Sequence, residues 1–320
     1  MPHFHILHRT HYVYTGWVVD SANQIKLYPI SDEIQRVNNH HLSVSLHPAI
    51  HLFNDYFGNT TGFFSILVPH NELIIDNLME VEMFPQKKIE LVTSSADVWT
   101  KILQEENQLS FHDFLKAEQA ICQTEVQQAI QSILAKEQHP LHTIQDLSHF
   151  IYENFTYKKG VTNIETSVDE IWNLKAGVCQ DFAHMLLYML RLVGVPARYI
   201  SGYICPGSSE WRGEGATHAW AEAWLPDTGW VGVDPTNQCL AGERHIRLAT
   251  GRNFSDCTPV KGTYKGSVEH TLEVTVKFGE KAFSEAQVKD SQPTYVSQPQ
   301  INDNVPRNSY MAYLQMQQQQ

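Results

Sequence analysis

The stretch GVCQDFAHMLLYMLRLVGVPARYISGY, residues 177–203, decides the fold of this chain. Apolar residues surround most of its helical circumference, so the pattern predicts a buried central helix that begins at Cys179. Gly194 is typical of a residue that ends a helix, and Pro196 cannot continue one. The β-branched and aromatic run that follows predicts a strand. We therefore expect a cysteine at the N-terminal end of a buried helix, with a sheet close by.

Two more strand patterns follow, HAWAEAWL (218–225) and GWVGVDPT (229–236), and the Pro-Asp-Thr-Gly between them predicts a hairpin turn. Alternation along the first strand puts His218 on one face, while three alanines line the other. Small side chains predict close packing against the cysteine helix. The hairpin would bring Asp234 next to His218.

These three side chains indicate thiol chemistry. A thiolate is the nucleophilic form of cysteine, and an ordinary thiol is mostly protonated at neutral pH. A helix N-terminus favours the anion, and a neighbouring imidazole can take the proton. Cys179, His218 and Asp234 occur in the order nucleophile, base and orienting acid. A cysteine on a helix facing a histidine and an aspartate on strands is typical of a papain-like site.

The rest of the chain predicts an α+β protein with three segments. Residues 1–90 alternate as strands do and predict an N-terminal β-sandwich. After a boundary at Pro85–Ser94, residues 91–280 predict a helical lead-in and then a core in which the cysteine helix packs on an antiparallel sheet. One lead-in helix has Thr143 as its expected N-cap. Residues 281–320 form a polar, glutamine-rich tail, which we expect to be disordered or to lie over the surface.

The chain resembles the transglutaminase-like superfamily, and its bacterial branch in particular. The core motifs are residues 177–203 and HAWAEAWLPDTGWVGVDPT (218–236). NQIKLYPI (23–30) and NDYFGN (54–59) resemble the companion β-domain of that branch. LATGRNFSDCTPVKGTYKG (248–266) is similar to the segment after the core there, so the resemblance extends over most of the chain.

The resemblance implies that Cys179 is the nucleophile, His218 the base and Asp234 the orienting acid. It also implies an oxyanion donor upstream of the nucleophile, to complement the backbone N–H of Cys179. The candidates for this donor or for other cleft positions are Tyr157, Trp172, Trp220 and Asp181. Animal members of the family need calcium, but no acidic run of the EF-hand type occurs here, so we expect no metal and no cofactor.

Composition limits the partners and the compartment. The net charge is −12 and no run of lysine or arginine occurs, which argues against nucleic acid. No apolar run approaches the roughly 20 residues that span a bilayer, and the start does not read as a signal peptide. The 5 cysteines are scattered, with no CxxC pair, so we expect free thiols in the cytoplasm. The oligomeric state is left open.

The predicted function is acyl transfer through a thioester on Cys179, with a protein or peptide as substrate. Hydrolysis, as in a cysteine protease or amidase, is the preferred outcome, because crosslinking inside a cell would be harmful. Transfer to an amine, as in a protein-glutamine transglutaminase, uses the same groups. A third reading is a binding or scaffold protein that keeps the fold without the activity.

Overall fold

The computed structural model describes residues 1–86, 89, 94–105, 109–134, 138–207, 212, 216–226, 228–289, 293 and 295–296. It confirms the predicted α+β class, with a β-rich N-terminal region and a buried helix on an antiparallel sheet. The strands are β1 His3–Ile25, β2 Gln35–Val44, β3 His51–Asn54, β4 Thr60–Ile66, β5 His70–Met83, β6 Thr156–Tyr157, β7 Ala176–Gly177, β8 Ala197–Ile204, β9 Ala216–Leu225, β10 Gly229–Asp234, β11 Cys239–Leu240, β12 His245–Gly251, β13 Val260–Lys265, β14 His270–Gly279 and β15 Tyr295–Val296. The helices are α1 Ser95–Glu105, α2 His112–Leu115, α3 Gln123–Ile133, α4 Pro140–Asn154, α5 Val168–Leu174, α6 Cys179–Leu192, α7 Phe254–Cys257 and α8 Glu285–Lys289.

The N-terminal region is built around the 23-residue strand β1. Its first half pairs with β5 on one side and β14 on the other, and its second half pairs with β4 and β13. The pairing with β5 shifts register between Val13 and Val18, where β1 changes partners. Strand β5 alternates buried and half-buried positions along most of its length, as a strand with one face in a core must.

The chain returns to this region near its C-terminal end. The sequence patterns predict that residues 260–279 belong to the segment 91–280, but β13 and β14 pair with β1. Strand β15 then pairs with β14. The division at residues 90 and 280 stays a prediction, and most of the tail, residues 297–320, lies outside the described residues.

The second sheet has the strand order β11-β10-β9-β8-β12 and is antiparallel throughout. Helix α6 packs on the sheet where Ala219, Ala221 and Ala223 of β9 join its core cluster. Farther along the sheet, Tyr203 of β8 and Ile246 of β12 are paired and belong to the core of the N-terminal region. The second sheet therefore contributes side chains to both cores.

Local signals mark ends of two helices near the second sheet, α6 and α4. Helix α6 begins at Cys179 and is followed by Gly194 with a φ of +77°. Helix α4 begins at Pro140, one turn before the position expected from Thr143, so that cap prediction is wrong. His139 is the N-cap instead: its Nδ1 accepts the Leu141 N–H at 3.2 Å, and a proline is well suited to the first helical position.

Side chains from the N-terminal motifs join the two regions. Lys26 forms an ion pair with Asp55 and donates to the Asp256 carbonyl at 2.7 Å. Asn59 bonds both backbone groups of Thr250, accepting its N–H at 2.8 Å and donating to its carbonyl at 2.7 Å. The stretches 23–30 and 54–59 therefore bind the core segment 248–266.

Within the described part of the chain, no helix is both long and apolar enough to cross a membrane.

Candidate active site

Cys179 is the first residue of α6 and is partly exposed. N–H groups in the first turn of a helix have no intrahelical partner, and the helix dipole favours negative charge there. The short strands β6 and β7 run parallel just before this point and place Tyr157 opposite Gly177. The nucleophile candidate therefore sits where an aromatic side chain and a helix end meet.

Asp181 holds the turn that precedes the helix. Its Oδ2 accepts the Val178 N–H at 2.7 Å and the Thr162 hydroxyl at 2.6 Å. Burial raises the pKa of this carboxyl, while the two hydrogen bonds lower it. A Cβ on Gly177 would collide with the Asp181 side chain, so this turn requires glycine. Asp181 thus shapes the backbone that leads into Cys179, and its side chain is buried.

His218 and Asp234 form a buried pair. His218 Nε2 and Asp234 Oδ2 are 2.8 Å apart, and both side chains are fully enclosed. Burial by itself would lower the pKa of His218, but the charges of Asp234 and Cys179 and the hydrogen bond to Asp234 raise it to about 10. Burial acts to raise the pKa of Asp234, but the charge and hydrogen bond of His218 hold it well below its ordinary value. The pair therefore favours an imidazolium next to a carboxylate.

The ring nitrogen of His218 that does not bond Asp234 is Nδ1. Nδ1 is buried and makes no hydrogen bond of standard length among the described residues. Cys179 is close enough to contribute to the raised pKa of His218. The structure thus brings together the three residues that the sequence predicts as nucleophile, base and orienting acid.

Asp234 has more partners than the sequence analysis foresaw. Oδ1 accepts the Thr236 N–H at 2.9 Å, and Oδ2 accepts the Asn237 amide at 2.8 Å. His245 Nε2 lies 3.2 Å from the same Oδ2. No spacing signal could have identified His245, because β11 and β12 lie at opposite edges of the sheet. Only the path of the chain between them brings His245 to Asp234.

Three of the four additional candidates lie beside the three central residues, and the fourth, Trp172, does not. Tyr157 lies at the site: burial first, and then the charges of Cys179 and Asp234, raise the pKa of its hydroxyl well above the ordinary value. Asp181 is next to the nucleophile, as described above. Trp220 is fully buried, with its ring stacked on that of His218 at a centroid distance of 6.2 Å, so it supports the imidazole and does not face a cleft.

The structure contradicts the prediction that Trp172 is an oxyanion donor. Its indole N–H donates to Glu125 Oε2 at 2.8 Å, and its ring packs with Phe150 and Phe155 in the helical core. Its only hydrogen-bond donor is thus already engaged, and it cannot serve as the oxyanion donor. A single tryptophan in a helix pattern carries no signal that would have separated these two roles.

Among the residues that the structure describes, two groups of side chains have a geometry that could hold a metal ion. One is His218, Asp234 and His245, whose mutual hydrogen bonds already account for the arrangement. The other is the more exposed set His3, His5 and Glu80 in the N-terminal region. The absence of a required metal stays a prediction.

Comparison with known proteins agrees with this architecture. Residues 127–235 match the transglutaminase-like superfamily, and residues 4–82 match the bacterial transglutaminase-like N-terminal region. An uncharacterised protein of Mycobacterium tuberculosis is 32% identical over 289 residues, covering 85% of this chain and 91% of that protein. One of Mycobacterium leprae is 30% identical over 278 residues, covering 85% and 96%. The chain belongs to the transglutaminase-like superfamily.

Two other similarities are more limited. A protein-glutamine gamma-glutamyltransferase of Pseudomonas aeruginosa is 35% identical over 105 residues, which cover 31% of this chain and 16% of that protein. A crystal structure from Cytophaga hutchinsonii, of a protein proposed to be a cysteine protease, superposes with a TM-score of 0.63. It is 19% identical and covers 89% of this chain and 93% of that chain, so it supports the fold alone.

Proposed function

We propose that this protein catalyses thiol-dependent acyl transfer on an amide or peptide bond, with water as the preferred acceptor. The buried His218–Asp234 pair beside Cys179 carries the proposal. An aspartate in this position orients the imidazole and stabilises its cation. The same cation stabilises a thiolate at the helix end, which is the state that a nucleophilic cysteine needs.

The proposed reaction has two steps. The Cys179 sulfur attacks the carbonyl carbon and forms a C–S bond, and the C–N bond breaks as His218 gives its proton to the departing amine. Water then attacks the thioester carbon, His218 takes a proton from it, and the C–S bond breaks to release the acid and the thiolate. The developing oxyanion would be met by the Cys179 N–H at the start of α6, with Tyr157 as the side-chain candidate.

The first experiment is alkylation of the folded protein with iodoacetamide from pH 5 to pH 9, read by peptide mass. The other four cysteines are internal controls, because burial raises the pKa of two of them, Cys122 and Cys239, to about 12. We expect Cys179 to react fastest near pH 6 to 7 and to lose that advantage in His218→Ala. Equal reactivity of all five thiols would instead favour the scaffold reading.

A second candidate is transfer of the acyl group to an amine. The gamma-glutamyltransferase of Pseudomonas aeruginosa, similar over 105 residues, favours this alternative. A glutamine-containing peptide incubated with and without a primary amine separates the outcomes by mass. Under the preferred proposal the peptide is deamidated or cleaved whether or not the amine is present, and an amine adduct as main product would favour transfer. Cys179→Ala is the control in both reactions.

We also propose a cytoplasmic location. All 5 cysteines are free thiols, which suits a reducing compartment. Fractionation of cells that express the natural gene tests this point directly. Recovery with the soluble cytoplasmic marker is the expected result, and recovery with an exported marker would refute it.

A further inference from the structure

Asp234 receives more hydrogen bonds than a base-orienting carboxylate requires. His218, Asn237 and His245 all approach Oδ2, at 2.8, 2.8 and 3.2 Å. His218 is explained by the proposed reaction, and Asn237 lies three residues away in the same turn. His245 comes from a different strand, β12, and its side chain is 1% exposed.

The protonation of His245 follows from its other nitrogen. Nδ1 accepts the backbone N–H of Gly242 at 3.1 Å, and a backbone amide can only donate. Nδ1 therefore carries a lone pair, and in the neutral ring the proton is on Nε2, which faces Asp234. Burial lowers the pKa of His245, although Asp234 acts to raise it. Unlike His218, this imidazole is a neutral donor.

We infer that His245 is a positioning residue that fixes the Asp234 carboxylate for its bond to His218, in support of the function proposed above. Its N–H holds Oδ2 at one point in space and stabilises the carboxylate as an anion. Without that donor, the carboxylate is free to turn on its side-chain bond, and its pairing with His218 weakens. The described hydrogen bonds of His245 go to Asp234 and to the Gly242 backbone and not to the nucleophile, so its effect on catalysis is indirect.

The ring of His245 is itself held in place. Its centroid is 5.2 Å from that of Trp220, in an edge-to-face arrangement at 77°. Trp220 also stacks on His218, so one tryptophan supports both imidazoles that face Asp234. A Cβ on Gly202 would collide with the backbone carbonyl of Ile246 and with the Trp220 ring, which explains glycine there on β8.

Strand β12 connects this arrangement to the N-terminal region. Two residues after His245, the backbone of Arg247 bonds the side chain of Gln35: Oε1 accepts its N–H at 2.8 Å, and Nε2 donates to its carbonyl at 2.9 Å. The Gln35 side chain thus makes the two backbone hydrogen bonds that a neighbouring strand would make at this edge of the sheet. The position of His245 accordingly depends on contacts outside the core.

Other charged and titratable groups surround Asp234 and His245. Arg244 and His218 contribute to the lowered pKa of His245. The charge of Asp234 contributes to the raised pKa of Tyr157 and of Cys239. Neither Tyr157 nor Cys239 donates a hydrogen bond to Asp234 among the described contacts, so a variant at His245 removes a donor that neither of them replaces.

The test compares His245→Phe, which removes the donor, with His245→Gln, which keeps an N–H group on a side chain of similar reach. The first readout is the pKa of His218, followed by NMR on protein labelled with ¹⁵N-histidine. The second is the pH dependence of Cys179 alkylation by iodoacetamide. His270→Phe is the matched control, because it removes another buried histidine, from the N-terminal region. Thermal unfolding is recorded for every variant.

We expect the His245→Phe change to lower the pKa of His218 and to slow alkylation at pH 6.5 about tenfold, the loss typical of a hydrogen bond to a charged group. His245→Gln should stay within a few-fold of the wild type, as should the His270→Phe control. If His245→Phe does not fold, His245→Asn takes its place, because its shorter amide does not reach Asp234. The inference is wrong if the donor-free variant leaves the His218 titration unchanged, or if the Gln variant is as impaired as the Phe variant.

The two readouts separate this inference from the proposed function. The NMR titration reports the His218–Asp234 pair whether or not the protein turns over a substrate. A raised His218 pKa that depends on His245, in a protein whose Cys179 is unreactive, would support positioning and refute the proposed chemistry. An unreactive Cys179 with no dependence on His245 would refute both.

Discussion

Two buried carboxylates on adjacent strands of the same sheet are bound by different kinds of side chain. Glu222 on β9 is bound by two guanidinium groups: Arg198 Nη2 lies 2.6 Å from one oxygen and Arg247 Nη1 lies 3.3 Å from the other. Asp234 on β10 is bound by two imidazoles and an amide. Glu222 is paired across the hairpin with Gly232, two residues before Asp234, so the two sites are close in the same sheet.

The difference lies in what the partners can do with a proton. A guanidinium stays protonated in proteins, so the charges around Glu222 are fixed. An imidazole gains and loses its proton near neutral pH, so the charges around Asp234 can change during a reaction. Arg247 also pairs with Asp32 of the N-terminal region. One carboxylate therefore anchors the joint between the two regions, and the other serves the proposed chemistry.

The largest expected effect comes from Asp234→Asn. An amide of the same shape places an N–H₂ group where the structure needs acceptors, and it removes the charge that favours the His218 cation. We expect turnover of an amide substrate to fall on the order of 10⁴-fold, the loss known for an equivalent change in a catalytic triad. The measurement is kcat for hydrolysis of a glutamine-containing peptide. A rate within tenfold of the wild type would remove Asp234 from the catalytic group.

Glu222→Gln should act on stability and not on the chemistry. It removes the carboxylate that Arg198 contacts and one of the two that Arg247 contacts in a buried site, and breaking such a pair costs about 3 kcal/mol. Urea unfolding should show this loss, with the exposed Glu33→Gln as the matched control. The pH profile of Cys179 alkylation should be unchanged. A shifted profile would mean that the two carboxylates are coupled and that the comparison above fails.

The pH dependence of stability should come from the imidazole site. The pKa of His218 is raised to about 10 in the folded protein, so its stabilisation is complete below the ordinary value of 6.5 and is lost as the pH rises through 10. Over that range the unfolding free energy should fall by up to about 1.4 kcal/mol per pH unit from this one proton. In His218→Gln this component should disappear. Equal slopes for the two proteins between pH 7 and pH 9 would contradict the raised pKa.

Thr162→Val should have the smallest effect. It removes one of the two hydrogen bonds to Asp181 and keeps the one from Val178. We expect a loss of about 1 kcal/mol in stability and a few-fold change in the alkylation rate of Cys179, because the turn before α6 is held less firmly. The exposed Thr228→Val is the control. A loss of alkylation comparable to that of His218→Ala would give Thr162 a larger role than this.

The fold class could be predicted from the sequence, and so could the proximity of Cys179, His218 and Asp234. Helix α6 could be predicted because its apolar residues surround the helix and Gly194 ends it, and both are local signals. The His218–Asp234 contact could be predicted because a short hairpin joins their strands. Local periodicity and short turns fix such features before any distant part of the chain is considered.

The remaining features depend on contacts between distant parts of the chain. His245 reaches Asp234 because the chain crosses from β11 at one edge of the sheet to β12 at the other, and no periodicity encodes that path. Trp172 was misassigned because its partner, Glu125, lies on another helix. The return of β13 and β14 to β1 depends likewise on pairing between segments more than 200 residues apart. Contacts of this kind are selected by the packing of the whole chain, which sequence patterns of a few residues do not contain.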